Sequence, residues 1–95
     1  MYNTLTFMHF RNLFNHGTIS PLGGCTLALG IGDSTVEVGV AICNDETNFN
    51  KKIGRDIASG RLKAGKARFV IPITPEMNIG DIKSMVSRQP ELLEL

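Results

Sequence analysis

Two runs of strictly alternating residues, Cys25-Thr26-Leu27-Ala28-Leu29-Gly30-Ile31 and Thr35-Val36-Glu37-Val38-Gly39-Val40-Ala41-Ile42-Cys43, meet across Gly32-Asp33-Ser34. Side chains of a strand point to opposite faces in turn, so a period of two over this length predicts two strands. A short connection of glycine, aspartate and serine is the chemistry that closes a β-hairpin. Val36, Val38, Val40 and Ile42 then share one face. The turn sets the register. A loop of Asp33 to Thr35 would place Cys25 opposite Cys43, whereas a two-residue loop would place it opposite Ile42.

The elements around the hairpin follow from spacing. Asn44-Asp45-Glu46-Thr47 ends the strand with helix-capping side chains. Phe49, Ile53 and Ile57 recur every four residues with Ala58 beside them, which predicts an amphipathic helix buried along that stripe. Lys51, Lys52, Arg55 and Asp56 fall off it. Gly54 weakens a helix by about 1 kcal/mol relative to alanine, which suggests close approach to something. Ser59-Gly60 is expected to stop the helix. Ala67 to Ile73 carries a further strand, with Pro72 confining it to a sheet edge or an early end. Ile79, Ile82, Met85 and Val86 line a short second helix that Asp81 helps to start and Pro90 ends. Before the hairpin the pattern is ambiguous. Leu5, Phe7 and His9 alternate as in a strand, while Leu5, Met8 and Phe10 with Leu13 and Phe14 suit a helix. Asn15-His16-Gly17 and Pro21-Leu22-Gly23-Gly24 read as loop. The expectation is one α+β domain over 1–95: an uncertain strand or arm (1–24), a core (25–87) and a tail (88–95). Its hairpin, helix, third strand and C-terminal helix form a small antiparallel sheet with the helices on one face.

No window holds the roughly 18 uninterrupted apolar residues that span a bilayer. Met1-Tyr2-Asn3-Thr4 lacks the basic start of a secretory signal. A cytoplasmic location without membrane contact is therefore expected, with Cys25 and Cys43 as free thiols. The apolar ends, Phe7 to Phe14 and Leu92 to Leu95, suggest a homo-oligomer, most simply a two-fold dimer.

The formal net charge of +1 conceals an asymmetry. Lys51, Lys52, Arg55, Arg61, Lys63, Lys66 and Arg68 are opposed within their stretch only by Asp56. Such a one-sided field points to an anionic partner. Gly60-Arg61-Leu62-Lys63-Ala64-Gly65-Lys66-Ala67 nearly spells a phosphate-binding loop, but Ala67 has no hydroxyl for Mg²⁺ and the loop runs from helix to strand, the wrong direction. Gly32-Asp33-Ser34-Thr35 resembles the start of a serine-esterase block, yet His9 and His16 lie upstream and no base follows. The histidines find no third ligand for a metal. A non-catalytic protein without metal or cofactor is expected. Its candidate ligand residues are Phe49, Lys51, Lys52, Arg55, Arg61, Lys63, Lys66 and Arg68. Arginine supplies bidentate phosphate contacts, lysine a point charge and phenylalanine a stacking surface. The competing reading of the same charges is a solvated helix face.

The stretch from Val-Ala-Ile-Cys through Asn48-Phe49-Asn50-Lys51-Lys52-Ile53-Gly54-Arg55-Asp56-Ile57-Ala58-Ser59-Gly60-Arg61-Leu62 resembles small bacteriophage proteins with the pattern F-x-[KR]-K-x-G-R-x-I-A-x-G-R. It is also similar to the phage Thoeris anti-defence family, over residues 36 to 73. The resemblance implies an oligomeric sponge in the host cytoplasm. Such a sponge holds a cyclic ADP-ribose-type signal or cyclic oligonucleotide without cleaving it, with Phe49, Lys51, Lys52, Arg55 and Arg61 as candidate contacts. The alternative is an inhibitory or regulatory protein that docks on a host defence protein or a nucleic acid through the same basic face, in the manner of an anti-CRISPR inhibitor.

Overall fold

The computed structural model describes residues 2–12, 17–90 and 92. The described elements run β1 (Thr4–Phe10), β2 (Leu22–Ile31), β3 (Thr35–Asn48), α1 (Lys51–Lys63), β4 (Phe69–Pro72) and α2 (Ile79–Ser87). The four strands form one antiparallel sheet in sequence order, β1-β2-β3-β4. The α+β architecture is the one the periodicity predicts. The N-terminal arm resolves in favour of its strand reading, since Thr4 to Phe10 pair with Ile31 to Cys25. Leu22 to Gly24, expected as loop, begin β2, with a register slip between Leu22 and Gly24.

The hairpin takes the two-residue loop. Ile31 pairs with Val36, the Gly32 amide donates to the Thr35 carbonyl at 2.9 Å, and Cys25 stands opposite Ile42. Cys25 and Cys43 therefore differ by one strand position in register and point to opposite faces. Both are half-buried free thiols.

The two faces of the β2–β3 ladder differ in size. One presents Leu27, Leu29, Ile31, Val36, Val38 and Val40, which form the main core with Ile71 of β4 and Ile82 and Val86 of α2. The other presents Thr26, Ala28, Gly30, Gly39 and Ala41. There Ala28 and Ala41 make a second cluster with Ala58 and Leu62 of α1. The helices, expected on one face, thus lie on opposite faces. Both faces of the central strands are apolar, and each needs its own cover.

The small-residue face decides how α1 sits. A Cβ on Gly39 would run into the Ala58 carbonyl, and one on Gly54 into the Thr26 hydroxyl. The buried ridge of α1 is accordingly Gly54, Ala58 and Leu62. The Phe49–Ile53–Ile57 stripe, expected to be buried, is not: Ile53 is 55% exposed and Ile57 44%. Where Gly54 and Ala58 lie against Thr26 and Gly39, the gap has no room for a bulky isoleucine. The close approach signalled by Gly54 is to Thr26 of the chain itself.

The helix boundaries also differ from expectation. Strand β3 runs on to Asn48, so Asn44 to Thr47 belong to its end, and the cap of α1 is Asn50, whose side chain accepts from the Ile53 amide at 3.0 Å. Ser59-Gly60 does not stop α1, which continues to Lys63. Pro72 lies on the edge strand, as a residue without an amide donor must. Asn78 and Asp81 start α2 with a reciprocal capping box. Phe7 packs against the second cluster, and Phe10 and Leu92 against the first, so these parts of the apolar ends are covered within the chain. Leu13, Phe14, Asn15, His16, Leu93 and Leu95 lie outside the described residues.

The two glycine environments predict opposite effects. Gly39→Ala forces α1 off the sheet and lowers unfolding stability by about 1–3 kcal/mol, the usual cost of overpacking. Gly60→Ala, a helical position with open space around its Cβ, raises stability by roughly 0.5–1 kcal/mol. Urea denaturation of the two variants beside the parent checks both signs.

Candidate anion-binding site

The cations between residues 51 and 68 do not form one surface. Because α1 turns its Gly54–Ala58–Leu62 ridge to the sheet, the residues either side of that ridge are divided between its two flanks. Lys51 and Arg55 fall toward β1. Arg61 falls toward β3, where it joins Lys66 and Arg68 from the connection into β4. Lys52 pairs with Asp56 at 3.6 Å on the exposed side, the only ion pair among the described residues, and one of little energetic weight. Lys63 is exposed in the last turn, where a positive charge complements the helix dipole.

The group at β1 gains members that lie far away in sequence. Antiparallel pairing places His9 opposite Thr26, and His9 Nδ1 lies 2.9 Å from the fully buried Thr26 hydroxyl. Arg11 follows just past the end of β1, and its guanidinium lies 4.7 Å from the centre of the Phe49 ring. The His9 ring meets Phe49 edge-on, with centroids 5.8 Å apart and planes at 82°. Phe49 is held here because its amide donates to the Pro21 carbonyl at 2.8 Å, tying the entry of α1 to the start of β2. Phe49, expected to stack on a ligand base, instead carries Arg11 and abuts Gly24. Arg11 donates to the Ser20 carbonyl at 3.3 Å, while its Nε is buried and meets no acceptor among the described residues.

Burial lowers the pKa of His9 from its ordinary value, and the positive charges of Lys51, Arg55 and Arg11 lower it further. The imidazole is therefore mostly neutral at pH 7, within the field of these three cations. Asn50 caps α1, and its first turn holds no acidic residue, so the partial positive charge of the helix end adds to the same field. Beside Arg11 a groove of about 400 Å³ runs between Phe10, Cys25, Ile42 and Leu92.

The second group, Arg61, Lys66 and Arg68, surrounds a hollow of about 310 Å³ with Val40 and Ile42. Arg61 Nη1 donates to the Val40 carbonyl, and the Arg68 amide donates to the Val38 carbonyl at 2.7 Å. The near-match to a phosphate loop dissolves at this point. Gly60 to Lys63 are the last turn of α1, and Ala64-Gly65 a tight turn, so no loop precedes a helix N-terminus. Asp33-Ser34 is the hairpin turn. Among the described residues no three His, Cys, Asp or Glu side chains gather as metal ligands would. No helix among them is long and apolar enough to cross a membrane.

No protein-family description, curated protein or solved structure matches this chain.

The lowered His9 pKa has a direct consequence for stability. The unfolded chain takes up a proton at His9 near the ordinary pKa of 6.5, while the folded chain resists it to lower pH. The contribution of neutral His9 is thus fully present above 6.5 and is lost as pH falls through the folded value. The denaturant midpoint of the parent should drop more between pH 7 and 5 than that of His9→Gln. Parallel curves for the two proteins would contradict the assignment.

Proposed function

We propose that this chain is a non-catalytic binding protein for a small phosphate-bearing ligand of the nucleotide class, held where Arg11, Lys51 and Arg55 surround His9. The observation that carries this reading is the gathering of three cations beside a buried Arg11 Nε, with neither a carboxylate for the cations nor an acceptor for that Nε among the described residues. Like charges held together raise the energy of the folded state, and a bound anion removes that cost. Arginine and lysine at one site offer a fork and a point charge to the same phosphate. The resemblance to phage anti-defence sponges supplies the biological class: an immune signal of cyclic ADP-ribose type, or a cyclic oligonucleotide, sequestered without cleavage in the host cytoplasm.

The site also predicts its own pH response. A bound phosphate favours the imidazolium of His9, so binding raises the His9 pKa and affinity increases as the solution is acidified toward it.

Titration calorimetry with cyclic ADP-ribose and with a cyclic dinucleotide tests the proposal. Saturable binding of one of them is expected, with Arg55→Glu losing tenfold or more. A charge-assisted contact is worth about 1.5–3 kcal/mol, and 1.4 kcal/mol is a factor of ten. Arg61→Glu, in the other group, and Lys83→Glu, outside both, should bind as the parent does. Unchanged binding by Arg55→Glu, or loss confined to Arg61→Glu, would overturn the site.

A further inference from the structure

The outer edge of β3 has a separate use. Strand β4 pairs only with Thr35 to Val38, whereas β2 pairs with β3 continuously as far as Cys43 and again at Asn48. The Ile73 amide donates to Ser34 O at 2.9 Å and the Arg68 amide to Val38 O, so these even-numbered residues turn their backbone toward β4. Antiparallel strands alternate the direction of their backbone groups every second residue. Val40 and Ile42 therefore aim theirs the same way, past the point where β4 begins. No strand among the described residues covers them.

Three further features line that edge. Arg61 lies across it, donating to the Val40 carbonyl. Arg61, Lys66 and Arg68 border the hollow beside it, with no ion pair to any of them among the described residues. Ile42 is 56% exposed, and Ile53 and Ile57, the exposed flank of α1, border a neighbouring hollow with it. Open strand edges are reactive, and a cation laid over one is a common way of shielding it.

We propose that the edge of β3 from Val40 to Asn44 receives an acidic, extended peptide segment of a partner protein as a fifth strand. Strand addition uses the unpaired main-chain groups for affinity and alternate side chains for specificity. Here carboxylates on the α1 side meet Arg61, Lys66 and Arg68, and the apolar residues between them, turned to the other face, meet Ile42. Arg61 acts as a displaceable cover. A carboxylate offers its guanidinium a stronger, charge-assisted partner than the Val40 carbonyl, and its departure frees that carbonyl for a peptide amide. Charge complementarity selects this occupant. A second copy of the chain would bring the same three cations to the edge, and a nucleic acid has no amide to extend the sheet.

The test uses two capped seven-residue peptides, Val and Glu alternating and Val and Lys alternating, added to ¹⁵N-labelled protein. The Glu peptide is expected to shift the amides of residues 40 to 44 and to slow hydrogen exchange at the Ile42 amide, and the Lys peptide to do neither. The double variant Arg61→Glu/Arg68→Glu should reverse the preference, and its gain of the Lys peptide shows that it is folded. Arg68→Glu alone, expected to weaken the Glu peptide severalfold, serves if the double variant does not fold. Three results would overturn the proposal: no shift at residues 40 to 44 up to millimolar peptide, shifts centred on His9, Lys51 and Arg55 instead, or edge protection that grows with protein concentration before peptide is added. Nucleotide binding at the other cation group is unaffected by either outcome.

Discussion

The packing of α1 onto a face of small residues governs the rest of this molecule. Thr26, Ala28, Gly39 and Ala41 leave the sheet nearly bare on that side, and the helix descends until Ala58 meets Gly39 and Gly54 meets Thr26. Such close contact is available only to small residues at positions 54 and 58, so it fixes the rotation of α1 about its axis as well as its height. Rotation in turn distributes every charged side chain of the helix. The apolar cost is visible in the exposed Ile53 and Ile57, whose burial elsewhere on a sheet would contribute about 1.5–3 kcal/mol each.

That rotation assembles the cation cluster proposed to hold an anion. Lys51 and Arg55 come to the β1 flank, where strand pairing has already placed His9 beside Thr26 and Arg11 over Phe49. Phe49 links the two parts. Its backbone joins the start of β2, and its ring supports the arginine. The aromatic residue is thereby a positioning group for Arg11, whose guanidinium pairs with no carboxylate among the described residues. A cation kept in place by a ring face and a backbone carbonyl retains more of its charge for a ligand than one neutralised by an acid.

The opposite flank follows from the shortness of β4. Its four residues end at Pro72 and pair with only the first part of a fourteen-residue β3. Arg61, which the same helix rotation delivers there, donates to the Val40 carbonyl on the length of β3 that no described strand covers. One helix thus serves two surfaces of different chemistry. The first is a compact cluster of cations suited to a small anion, the second an extended edge suited to a strand.

Much of the fold was legible in local pattern. The hairpin, the edge character forced by Pro72 and the part of Asp81 in starting α2 each depend on residues close in sequence, and close residues dictate local geometry whatever surrounds them. Part of the proposed site was legible for the same reason, since Lys51 and Arg55 stand out within the basic run from Lys51 to Arg68. His9 and Arg11 were not, because some forty residues separate them from Phe49 and Lys51 and only the β1–β2 pairing brings them together. Nor was the buried face of α1. Phe49–Ile53–Ile57 and Gly54–Ala58–Leu62 share a spacing of four, and hydrophobicity favours the first. The tertiary structure decided for the second, because the sheet beneath has room for a Cα hydrogen and a methyl group but not for an isoleucine.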